Sequence, residues 1–118
     1  MTRESNPDKL YVAVRADLPP GLQTAQAVHA GIQFYDEHPE LTREWIRMSN
    51  FIVIINVENE DQLIQLATDA RMGEGLAVSM VNEPDLGDEY TAIAIEAGEA
   101  ASALCASFPL CLRNAFTY

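Results

Sequence analysis

The segment Tyr11–Gly31, YVAVRADLPPGLQTAQAVHAG, constrains the fold more than any other part of the chain. Leu10–Arg15 is rich in β-formers and apolar on both faces, the pattern of a central strand covered on both sides. The run ends on a charged pair, Arg15 and Asp17. Pro19 and Pro20 block helix before Gly21, and a helical pattern then runs from Leu22 to about Glu37. A strand that feeds a helix N-terminus is where α/β folds place ligands and chemistry, because unpaired backbone N–H groups gather there.

In that helix Ala25, Val28, Ile32 and Tyr35 recur at spacings of three and four, and His38-Pro39 closes it. A shorter helix spans Glu40–Met48, with Leu41, Trp45 and Met48 on one face. Phe51–Val57 reads as a second strand. Asn59 is placed to cap a third helix, with Glu60 and Asp61 in its first turn. Its buried face is Leu63, Leu66, Ala67 and Ala70, and Gly73 is its stop. Leu76–Val81 and Thr91–Ile95 read as two further strands, joined by a turn over Glu83–Tyr90. Gly98–Ser107 is Ala-rich and helical in pattern, ending near Pro109.

The order β-α-α-β-α-β-β-α predicts an α/β domain of three layers, a mixed four-stranded sheet with helices on both faces. The link between the last two strands is too short for a helical crossover, so that pair is expected to be antiparallel. Residues 1–9 read as a polar tail and 10–118 as one domain. A hydrophobic fraction of 48% with 21% charged residues is globular composition. No apolar run approaches the ~20 residues a membrane-spanning helix needs, and the first residues lack a secretory h-region. A cytoplasmic location is the expectation. Cys105 and Cys111 read as buried free thiols.

The charge narrows the partners. Eighteen acidic residues against seven basic ones give −11. No Lys or Arg lies between Arg71 and Arg113, whereas Glu74, Glu83, Asp85, Asp88, Glu89, Glu96 and Glu99 do. A phosphate backbone laid across that part of the surface would meet repulsion.

Chemistry has a few places to sit. Leu22, Gln26, His29 and Gln33 are spaced four, three and four, so they share a stripe beside the apolar face of the first helix. It begins near the helix N-terminus, which favours an anion or a developing oxyanion. A structural role, with Gln26 and His29 satisfied by backbone, is the competing reading. Arg15 and Asp17, two apart at a strand end, point the same way; they form an ion pair that pins the turn or a fork that holds a carboxylate or phosphate. Asp85, beside Pro84 and Gly87, is turn chemistry or a general base that orients water. Thr91 offers a hydroxyl at the start of the last strand. Gly-rich phosphate loops, paired-Cys zinc spacings, His-Glu-x-x-His and Gly-x-Ser-x-Gly are all absent, so neither metal nor cofactor is expected.

Five pieces in order give a resemblance. Val14-Arg15-x-Asp17, then Thr24-Ala25-Gln26-x-x-His29-Ala30, then Glu44-Trp45-Ile46, Asn56-Val57-Glu58-Asn59 and Asp85-Leu86-Gly87 resemble the motifs of the type 2 peptidyl-tRNA hydrolase family, from about Leu10 to Leu112. The resemblance implies that fold and hydrolysis of the ester joining a peptide, or an N-blocked amino acid, to the tRNA 3′ end. It assigns Asp85 to acid/base work, with His29 and Thr91 as further catalytic residues. Arg15, Asp17, Gln26 and Leu22 fall to substrate binding. Peptidyl-tRNA is the implied partner and a homodimer the implied assembly. Leu22 stands where the family has a lysine, a natural partner for phosphate or transition-state charge. The family's loop before the last strand is cut to Asp88, Glu89 and Tyr90, so its catalytic Thr is lost or replaced by Thr91. A regulatory or interaction module on the same fold, and a hydrolase of a different small ester, remain alternatives.

Overall fold

The computed structural model describes residues 8–113. Its elements are β1 (Lys9–Arg15), α1 (Pro20–Glu37), α2 (Pro39–Met48), β2 (Phe51–Val57), α3 (Glu60–Thr68), β3 (Val78–Glu83), β4 (Glu89–Ile95) and α4 (Glu99–Cys105). The order is the expected one. Of the expected tail, residues 1–7 lie outside the described residues, and Lys9 already belongs to β1.

The four strands form one sheet in the order β2-β1-β4-β3. β1 is parallel to β2, with Tyr11 opposite Val53, and antiparallel to β4, with Tyr11 opposite Ile95. β3 and β4 form an antiparallel hairpin. The apolar run of β1 follows from its central place: Val12, Ala13 and Val14 have no solvent exposure. Alternate residues feed two cores. Val12, Val14, Ala92 and Ala94 pack against Ala27, Ala30 and Phe34 of α1, with Trp45 of α2 at the margin. Tyr11, Ala13, Ile93 and Ile95 pack against Leu63, Leu66, Ala67 and Ala70, and against Ala101 and Cys105 of α4.

Several local expectations shift for identifiable reasons. Pro20 does not block α1 but is its first residue, where a missing N–H is no loss and the fixed φ is already helical. Pro39 opens α2 in the same way. Asn59 caps α3 as its spacing predicted, accepting from the Gln62 N–H at 2.9 Å. Past Thr68 the helix widens into a single π-type turn, Asp69–Gly73. Leu76 belongs to the connection and not to β3, because its N–H is bound to the Ala70 carbonyl. β4 begins two residues earlier than expected, at Glu89.

The largest reversal is on α1. Val28, Ile32 and Tyr35 are 58%, 62% and 45% exposed, and the sheet-facing side is Gln23, Gln26, Ala27, Ala30 and Phe34. The two alanines let the helix approach the sheet closely. The glutamines are tolerated there because each finds partners. Gln33 donates to the Met80 carbonyl at 2.7 Å, and Ser79 donates to Glu37 at 2.6 Å, so the polar stripe of α1 runs along β3.

Both sheet edges are covered by side chains or by chain. Gln33 and Arg71 occupy the outward carbonyls of Met80 and Val78 on β3. On β2, the Pro109 carbonyl accepts from Asn56 N–H and Cys111 N–H donates to the Ile54 carbonyl, both at 2.8 Å. Such covering blocks edge-to-edge pairing. Gln23 locks this corner from inside, donating to the Leu18 carbonyl at 2.7 Å and accepting from the Asn56 amide at 2.9 Å.

Candidate active site

The C-terminal end of β1, the first turns of α1, the β3–β4 turn and the start of β4 meet at one end of the sheet. Antiparallel pairing of β1 with β4 produces this meeting: Val14 lies opposite Ala92, so Arg15 ends beside Thr91.

Arg15 is buried, yet its guanidinium is fully engaged with protein. Nε and Nη2 donate to the two oxygens of Asp17, each at 2.9 Å. Nη1 donates to Glu89 at 2.7 Å and to the Tyr90 carbonyl at 3.1 Å. The Asp17 hydrogen bond, and more weakly Glu89, push the guanidinium pKa up against the opposing effect of burial. Reciprocally, Arg15 holds the Asp17 carboxyl below the usual carboxylate range. The fork spans β1, the following turn and β4, and so braces the floor of the site.

Thr91 reaches α1 because of a bulge. Val81 pairs with Ala92 but Asn82 pairs with Tyr90, which leaves Thr91 unpaired between them. Strict alternation would send Thr91 to the face opposite Ala92. The bulge turns it towards Ala92's own face, where its hydroxyl donates to Gln26 Oε1 at 2.6 Å. Gln26 Nε2 in turn donates to Glu83 Oε2 at 3.1 Å. Glu83 Oε1 accepts from the Asp85 N–H at 3.3 Å. A continuous polar path therefore links the fully buried Thr91 to the exposed turn that carries Asp85. Gly87 in that turn has φ 71°, the left-handed conformation that glycine adopts without strain.

The remaining candidates lie around this path. The Asp85 carboxylate has no partner among the described residues. Leu22 is half-buried in the first turn of α1. That turn has no side-chain cap and no acidic residue, so the amides of Gly21 and Leu22 are unpaired within the helix. His29 is exposed, one turn beyond Gln26. It lines a groove of about 480 Å³ with Gln33, Asn82 and Glu83. The structure thus forms two adjacent pairs, Arg15 with Asp17 and Gln26 with Thr91, joins the Asp85 backbone to the second pair through Glu83, and leaves Leu22 and His29 on the rim.

Glu83 and Glu89 are the residues that the sequence reading missed. Both bound the turn that holds Asp85, and one acidic residue at each end of a hairpin turn, facing one cation and one amide, is the available signal. Glu60 adds a third carboxylate, accepting from the Tyr90 N–H at 2.9 Å. No group of His, Cys, Asp and Glu able to hold a metal ion is found among the described residues. Of the two thiols expected to be buried, Cys105 is, its pKa pushed up to about 12, whereas Cys111 lies half-buried beside Gln23, its thiol also raised by burial.

The family model for peptidyl-tRNA hydrolase PTH2 matches residues 8–102. Among curated proteins, the mitochondrial peptidyl-tRNA hydrolase 2 of Bos taurus is 31% identical, over 69% of this chain and 56% of its own length. The Mus musculus counterpart is 34% identical, over 68% of this chain and 47% of its own. The chain therefore spans about half the length of the curated relatives it matches. A solved structure, a protein of unknown function from Agrobacterium tumefaciens strain C58, superposes with a TM-score of 0.63 at 11% identity, covering 88% of this chain and 97% of that one. It shares the fold. The matched span holds every candidate side chain, from Arg15 through Gln26 to Asp85 and Thr91, and on that ground the chain belongs to the peptidyl-tRNA hydrolase PTH2 family.

Proposed function

We propose that the protein hydrolyses the ester between a peptide, or an N-blocked amino acid, and tRNA. The observation that carries this reading is the path from Thr91 through Gln26 and Glu83 to the Asp85 turn, beside an uncapped helix N-terminus. Ester hydrolysis needs a base for water, donors for the oxyanion and a proton for the leaving ribose oxygen. The free Asp85 carboxylate supplies the first. The open amides of Gly21 and Leu22 at the N-terminus of α1 supply the second, and the buried Gln26 ties that helix to the Asp85 turn. Thr91 and Glu83 fix which end of the Gln26 amide donates. The Asp85 carboxyl, protonated by the attacking water, returns that proton to the leaving oxygen. His29, on the rim, serves as a contact for the substrate.

A second reading is favoured by Leu22 and by the carboxylates Asp17, Glu60, Glu83, Asp85 and Glu89 around Arg15, the only cation among these side chains. They suit a smaller, less anionic ester, or a binding module without turnover, better than a polyphosphate. Salt separates the two. Binding of tRNA that weakens steeply between 50 and 200 mM salt supports the first reading. No tRNA binding at low ionic strength supports the second.

We place the expected homodimer on the outer face of α1. Val28, Ile32 and Tyr35 form an exposed apolar stripe, and the helix carries no charge before Asp36. In a chain of −11 this neutral face is where two copies approach with little repulsion. Light scattering on the native protein should give a dimer mass and on Ile32→Glu a monomer mass; a native monomer would refute the assignment.

A further inference from the structure

We infer that the cavity at the far end of the sheet, between α2 and the start of β1, binds a small organic cation with an apolar body, of arylalkylammonium type. This site is separate from the candidate active site. Leu10, in its floor, lies five residues from Arg15 along β1, about 17 Å at the rise of an extended strand.

The cavity holds about 240 Å³, room for one small molecule or one large side chain. Its floor is Leu10 and Phe34, both almost fully buried. Its wall is the apolar face of α2, where Leu41 and Met48 remain 37% and 76% exposed on either side of Trp45. The indole is fixed in place, because its N–H donates to the Phe51 carbonyl at 2.7 Å. An apolar concavity in a folded chain gains by excluding water, and an open one is a place for a ligand.

Charge selects among apolar ligands. Asp8, Glu44 and Glu96 rim the cavity, and no Lys or Arg lines it among the described residues. Glu96 uses one oxygen for the Ala77 N–H at 2.9 Å and keeps the other for a ligand. An anionic ligand meets three carboxylates, and a neutral one gains nothing from them. A cation pairs with the rim and also gains from the face of Trp45. Arg43 of the wall helix is engaged elsewhere, over Tyr35 at 6.0 Å from the ring centre.

Trp45 is the only tryptophan in the chain, so its emission reports on this cavity directly. The native protein is titrated at pH 7 and low salt with 2-phenylethylammonium, with neutral 2-phenylethanol and with anionic 3-phenylpropionate. The expected result is a saturable emission change with the ammonium, an affinity at least about tenfold above the alcohol's, and no saturation with the carboxylate. Glu44→Gln should weaken the ammonium about three- to tenfold and leave the alcohol unchanged. Leu41→Arg, at an exposed position, should abolish the change while the far-ultraviolet circular dichroism stays native. Equal affinities for ammonium and alcohol would overturn the assignment. So would an unchanged affinity in Glu44→Gln, or no saturable change with the ammonium.

Discussion

Replacing Thr91 by Val keeps the branched shape and removes one hydroxyl. In the native site that hydroxyl donates at 2.6 Å to Gln26 Oε1, with Thr91 0% and Gln26 2% exposed. The variant leaves Gln26 Oε1 buried without a donor, which costs about 1–3 kcal/mol. For a domain of this size, about 2 kcal/mol lowers Tm by roughly 8 °C. Gln26→Met removes the acceptor as well, and Glu83, half-buried beside the exposed turn, then turns to water. Once Gln26 is gone, Thr91→Val orphans nothing, so the double variant should be more stable than the sum of the singles predicts, by about 1–2 kcal/mol. Urea unfolding of the four proteins measures this coupling directly. Additivity within about 0.5 kcal/mol would refute the claim that Thr91 and Gln26 act as a unit.

Other outcomes are equally specific. Asp17 is stabilised in its charged form by Arg15, so its contribution is present above the unfolded carboxyl pKa of about 3.9 and lost as pH falls through the lower folded value. Native protein should therefore be more stable than Asp17→Asn at pH 6 and lose that advantage below about pH 4; a constant difference across this range would contradict the pairing. Cys105, pushed up to about 12 by burial, should resist a thiol reagent at pH 8 until the chain unfolds, and its contribution to stability should decline as pH rises past about 8.5. Rapid labelling of Cys105 in native protein would contradict that burial. Leu22→Lys, which restores a cation at the head of α1, should raise both tRNA affinity and any hydrolytic rate; an unchanged rate would mean that more than this position separates the site from efficient catalysis.

Local patterns carried the fold a long way. The doubly covered β1, the Asn59 cap, the buried face of α3 and the antiparallel last hairpin all follow from residues close together in the chain. α1 did not, because it is apolar on two sides. Periodicity favours the bulkier set, Ala25, Val28, Ile32 and Tyr35, whereas the sheet takes Ala27, Ala30 and Phe34 because small residues allow close approach. Gln26 is buried only because Thr91 and Glu83, 65 and 57 residues away, satisfy it. The bulge that aims Thr91 is a register slip between strands and leaves no mark in either strand alone. Arg15 and Asp17 were legible as a pair from their spacing, but Glu89, which completes the brace, lies 74 residues on. The site was thus readable residue by residue, and its wiring was not.

The most direct test of the proposed activity is the release of an N-acetylated amino acid from its tRNA under single-turnover conditions, with native protein and Asp85→Asn compared side by side. Measurable release by the native protein is expected, with a loss of about 10²–10⁴-fold in the variant, the scale of a removed general base. No release at high protein concentration, or equal release by both proteins, would contradict it.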